Sequence, residues 1–238
     1  MKALIAACGL LLLGGCANLG QAPWAGFTAH GSCSKPSADQ ELSLNLADDM
    51  ANDGKLHASL ANLQNMSDNL PQVRLRKAKV YRLLGRNEAE PLYKTLLGTC
   101  LSAEGEHGLG QLAVARGDNA QAMAHLQQAA RLSPIDEKIR NDLGVVYLNQ
   151  LRMDDARFEF LTAMELNQGN QLAAVNLVTL LIYQDNWGQA AQVAGRMGLS
   201  PDQVTQAQAR AQQLKRSPAS PSKAQMATVS KALPAPIQ

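Results

Sequence analysis

Aromatic residues are scarce in this chain of 238 residues: two Trp, four Tyr and three Phe, 4% of the total. With β-branched residues also thin and Ala, Leu and Gln abundant, helices are favoured over sheets. An excess of one charge is lacking too. Lys and Arg number 22 against 20 Asp and Glu, a formal net charge of +2, which offers no nucleic-acid footprint. No stretch after Leu13 is apolar enough to span a bilayer. The four histidines, His30, His57, His107 and His125, stand in no ligand spacing. Glu104 and His107 lie at i, i+3 on a helix, but a solvated face outweighs a shared metal there. No Gly-rich phosphate loop and no Gly-x-Ser-x-Gly elbow occur. Asp154-Asp155 opens a helix, where carboxylates favour the positive end of the dipole, and Asp48-Asp49 is expected to face solvent. Catalytic residues, metal ligands and non-covalent cofactors are therefore not expected, and neither is an enzyme.

What is present begins at the N-terminus. One positive charge at Lys2 precedes an apolar run from Ala3 to Leu13, too short for a stable spanning helix. Then comes Leu13-Gly14-Gly15-Cys16, which resembles the lipobox of bacterial lipoproteins. The resemblance implies a signal peptide over 1–15, cleavage before Cys16, a diacylglyceryl group on its sulfur and an acyl chain such as palmitate on the new terminus. One acyl chain holds a protein only reversibly, at about 0.8 kcal/mol per buried methylene; two or three make a lasting anchor. Ala17 is not the aspartate that retains enteric lipoproteins at the inner membrane. By the same resemblance the destination is the outer membrane, facing the periplasm.

Cys8 leaves with the signal peptide and Cys16 is consumed by lipid, so Cys33 and Cys100 remain in a compartment that permits disulfides. Two readings stand: a Cys33–Cys100 bridge tying the N-terminal segment to the body, or two unpaired thiols. Residues 16–39 read as a linker punctuated by Gly20, Pro23, Gly26, Gly31, Pro36 and several serines. Trp24 and Phe27 are its only aromatics. From about Ser217 the chain is Pro-, Ser- and Ala-rich and too poor in large apolar residues to order itself.

Between these segments runs a repeat. Leu109, Leu143 and Leu177 are 34 apart, as are Ala122, Ala156 and Ala190. Gly110, Gly144 and Val178 form another column, Leu126, Phe160 and Ala194 another, and Ala129, Ala163 and Met197 a further one. Two amphipathic stretches per period, with Leu-Gly-Val-Val-Tyr at 143–147 and Asp-Asp-Ala at 154–156, resemble tetratricopeptide repeats. Gly54 and Gly85 sit where Gly117 does, between the helices of a hairpin, at shortened spacings of 31 and 32. The expectation is all-α: a superhelix of about five hairpins (40–70, 71–102, 103–136, 137–170 and 171–199), with a capping helix over 200–216 and a disordered tail over 217–238. Ser200-Pro201 reads as the N-cap and first residue of that last helix.

The resemblance implies a concave groove lined by first helices. Counted in repeat phase, its positions in the fourth hairpin are Lys138, Asn141, Val145, Leu148 and Asn149. In the fifth they are Leu172, Val175, Thr179, Ile182 and Tyr183. The fifth set is apolar, which suits a short amphipathic helix as ligand; the competing reading is that the closing helix covers this surface. A lipobox joined to a few such repeats resembles the TadD family of the tight-adherence (Flp) pilus system, most closely over 137–183. That resemblance implies pilus biogenesis and a pilotin-like partnership with the outer-membrane secretin. A type IVa pilotin and a general scaffold for outer-membrane or cell-wall assembly are the alternatives.

Overall fold

Helix begins where a side chain first satisfies free backbone donors. Ser37 accepts a bond from the Gln40 amide while the Gln40 side chain accepts from the Ser37 amide, at 3.3 and 2.8 Å, and α1 (Ala38–Asn52) follows. The computed structural model describes residues 33–216. The signal peptide, Cys16, the linker up to residue 32 and the tail over 217–238 lie outside the described residues. The linker expected to run to residue 39 gives way to helix slightly earlier, because of this cap.

The remaining helices are α2 (Leu56–Gln64), α3 (Pro71–Leu83), α4 (Ala89–Lys94), α5 (Ser102–Ala115), α6 (Asn119–Leu132), α7 (Glu137–Asn149), α8 (Met153–Leu166), α9 (Gln171–Tyr183), α10 (Trp187–Arg196) and α11 (Pro201–Arg216). Consecutive odd–even pairs pack as hairpins, and each even helix up to α8 leans on the next odd one. The result is the expected superhelix of five hairpins plus a closing helix. Starts are fixed by Asp118, Asp136, Asn170 and Asn186, whose side chains accept backbone N–H bonds at the heads of α6, α7, α9 and α10.

The sequence columns are the packing columns. Leu109, Leu143 and Leu177 are buried, as are Ala122, Ala156 and Ala190. A Cβ added at Gly110 would lie 2.6 Å from Leu126, and one at Gly144 would lie 2.6 Å from the Phe160 ring. In the fifth hairpin the sizes swap: Val178 replaces glycine and Ala194 replaces the large partner. Volume is thus conserved across the contact while its owner changes. Helix α4 is only six residues long, and it approaches α5 closely over Gly105 and Gly108, where Tyr93 and Leu96 are packed.

Every hairpin turns through one left-handed residue. Gly54, Gly85 and Gly117 have φ of 75°, 67° and 74°, and the equivalent places in the fourth and fifth hairpins are held by Leu151 and Asp185, at 57° and 58°. For a residue with Cβ this conformation costs about 1–2 kcal/mol. Opposite signs are therefore expected from two substitutions read by urea denaturation. Gly117→Ala should cost about 1 kcal/mol, since nothing crowds its Cβ and strain alone acts. Leu151→Gly should gain a smaller amount, because relief of strain is offset by lost burial; destabilisation by Leu151→Gly would refute this account.

Helix α11 departs from the repeat. The odd helices α3, α5, α7 and α9 each pack against the even helix before them, whereas α11 packs along α9 and hardly touches α10. It starts behind a second capping box, Ser200 with Gln203, and buries Ala207, Ala211 and Leu214.

The concave groove as candidate binding site

Helices α1, α3, α5, α7 and α9 present one face each to the inside of the superhelix. The expected apolar stretch of this groove needs correction. Thr179 and Ile182 are 2% and 3% exposed, and the Thr179 hydroxyl donates to the Val175 carbonyl at 2.9 Å. Val175 and Tyr183 are half-buried against the same core, and only Leu172 of the five remains open. The physical reason is α9 itself. It is apolar on every side, and a helix of that kind must be covered all round. Helix α11 does so from the groove side, pinned by Gln203 to Gln171, Lys215 to Asp185 and Arg210 to Asn149 at the end of α7. The small Ala207 and Ala211 let the two helices approach closely. Of the two readings of this surface, the covering helix is the one observed.

In the fourth hairpin Leu148 and Asn141 are also buried. Asn141 is spent on structure: its amide donates to Asp142 at 3.1 Å, and its carbonyl accepts from Asn176 at 2.8 Å. Asp142 in turn accepts from Gln111 at 2.8 Å and meets His107 at 2.7 Å. Burial pushes the Asp142 carboxyl up, but the bonds from His107, Gln111 and Asn141 outweigh it and hold its pKa below the ordinary value. This network joins α5, α7 and α9 across the groove floor. Sequence reasoning missed it, although His107 and Asn141 occupy the same repeat position, one period apart.

The open part of the groove lies toward α1. One cleft is walled by Arg82, Gln111, Val114, Asp142 and Val145. Beside it a larger cleft of about 390 Å³ has Asp48, Arg76, Lys79, Arg82 and Lys138 among its walls. Val145 and Lys138 are thus the sequence-predicted groove residues that do face open space here. Leu172 and Lys138 also line a third cleft, at the entrances to α7 and α9. Cys33 and Cys100 are bonded, with Cα atoms 5.2 Å apart, which ties the segment before α1 to the turn before α5. No helix among the described residues is long and apolar enough to cross a membrane.

No family model matches the sequence. A TPR repeat-containing protein of Pseudomonas aeruginosa is 44% identical over 214 residues, which span 89% of this chain and 85% of the relative. Among solved structures, a thermophilic TPR protein of Thermus thermophilus superposes with a TM-score of 0.55 at 20% identity, over 71% of this chain and 97% of its own. A MamA protein of Desulfovibrio magneticus gives 0.52 at 15% identity, over 71% and 96%. The two structures share the fold, and the Pseudomonas relative is near enough in sequence and in extent to fix the family: this chain is a tetratricopeptide-repeat protein.

Proposed function

We propose that the protein is a lipid-anchored, periplasm-facing adaptor of the outer membrane, acting in Tad/Flp pilus biogenesis as a pilotin-like partner of the secretin. The observation that carries the binding half of this reading is the groove open over α3, α5 and α7, with its far end filled by α11. The lipobox ending at Cys16 supports the anchored half. A groove that holds a segment of a partner, joined to lipid that fixes the address, is a transport device rather than a catalyst. Superhelical arrays of this kind offer long concave surfaces and little else for chemistry.

The test uses the native host. The lipidated protein, gently solubilised, is expected to co-purify with the secretin, and Cys16→Ser is expected to leave secretin multimers in the inner-membrane fraction. Absence of secretin from the purified complex, together with normal outer-membrane multimers in a deletion strain, would reject the pilotin role. Binding of a cell-wall assembly protein instead would support the general scaffold.

A further inference from the structure

The chain is nearly neutral overall, yet the cleft between α1, α3 and α7 gathers four cations, Arg76, Lys79, Arg82 and Lys138, around one carboxylate, Asp48. Arg76 is neutralised by Asp48, with Nη2 at 2.7 Å and Nε at 2.9 Å from Oδ2. Arg82 donates to the Tyr93 hydroxyl at 3.4 Å, which leaves its charge uncompensated. Among the described residues neither Lys79, Arg82 nor Lys138 forms an ion pair. Lys79 comes from the second hairpin and Lys138 from the fourth, and the superhelix brings them to one cleft. Lys79 is open to the solvent of the groove but walled on its other sides. Loss of surrounding water lowers its pKa below the ordinary lysine value, and Arg76 and Lys138 lower it further against Asp48 and Glu104.

We infer that this cleft binds an acidic peptide segment, whose carboxylates meet Lys79, Arg82 and Lys138. The inference rests on reading the groove as a peptide site and adds the class of peptide. Three observations favour it. Converging like charges repel one another, and an anionic occupant relieves that repulsion. Residues 1–32 and 217–238 do not offer one, since they contain no Asp or Glu. Carboxylates also interrupt the cations on both sides: one neighbouring cleft sets Asp142, with Val114 and Val145, beside Arg82, and another sets Glu90 among Arg82, Arg86 and Arg116. A nucleic acid, with a phosphate at every step, would meet Asp142 or Glu90 there. A peptide can place an apolar residue beside its acidic ones and suit both clefts, its side-chain stems resting on the exposed Leu83.

The experiment selects from a random dodecapeptide library on the full-length protein in detergent, against the Lys79→Glu/Lys138→Glu variant. Both residues project into open space, so circular dichroism should be unchanged. Enriched peptides are expected to carry two or more Asp or Glu. Their affinity should fall about tenfold or more in the double variant, equivalent to about 1.4 kcal/mol, and should weaken as salt rises. Lys55→Glu, at a site outside the cleft, should not alter it. Enrichment of neutral or basic peptides that bind in the groove would overturn the acidic class and leave the groove reading standing. No enrichment at all would overturn both. Phosphatidylglycerol vesicles bound through the same two lysines, without peptide binding, would assign the cleft to a lipid surface and also overturn the proposal.

Discussion

Loss of the Cys33–Cys100 bond is expected to cost about 4 kcal/mol, the loop-closure entropy of a 67-residue separation. The bond encloses α1 to α4, the part of the array with the least core. There, the core is split into two small clusters, Leu44, Ala47, Leu60, Leu63, Val73 and Val80 in one and Leu75, Ala78, Ala89, Tyr93 and Leu96 with Leu109 of α5 in the other. Hairpins three to five, by contrast, share a larger cluster with α11. A repeat array is stabilised by neighbour contacts, so damage at one end stays local. The Cys33→Ser/Cys100→Ser variant should therefore show an early urea transition, with amide exchange accelerated in α1–α4 and protection retained in α7–α11. A single transition within about 1 kcal/mol of the parent's would refute the account, because it would mean that the cross-link constrains little of the unfolded chain. Mass measurement without reductant gives the independent check: two free thiols would remove its premise.

Gly108→Ala is expected to destabilise by about 3 kcal/mol, at the upper end of overpacking costs. In an exposed helix the same exchange stabilises by up to about 1 kcal/mol, because glycine is the poorer helix former. The sign reverses here because a Cβ at Gly108 would fall 2.1 Å from Tyr93 Cε1 and 2.3 Å from Cζ, and Tyr93 is 1% exposed. The ring cannot swing away without opening α4 from α5. Gly195→Ala is the control, since nothing lies within 4 Å of its Cβ position, and it should be neutral or stabilising. Shrinking the partner, in Gly108→Ala/Tyr93→Leu, should recover part of the loss relative to the sum of the single changes. Strict additivity would show that the contact is not the cause.

The hairpins and their core were legible because each packing column recurs at a fixed period and is filled by residues of matched size. Leu109, Leu143 and Leu177 declare themselves in this way without any structure. The left-handed turns at Leu151 and Asp185 were hidden, since neither residue advertises that conformation as Gly117 does. The placement of α11 was hidden for a different reason. Periodicity speaks about contacts inside a repeat, and Ala207, Ala211 and Leu214 give α11 an apolar stripe that would serve equally in the next repeat position or against the inside of α9. That choice decides whether Thr179 and Ile182 are surface or core. The cationic cleft was missed because the first two repeats are shortened. Lys79 and Arg82 therefore fall out of phase with the period by which Lys138 and Asn141 were found.

Helix α11 also gives the groove a direction. A superhelix open at both ends lets a bound chain slide, and any segment of suitable chemistry can be held at any register. Here α11 covers α9 beyond its first turn, where Leu172 lines an open cleft, so a segment laid in from the α1 end along the middle of the groove meets a stop. If the groove takes a peptide as proposed, a slot with a blind end would measure length as well as chemistry, favouring a segment that terminates or turns at that wall and holding it in one register.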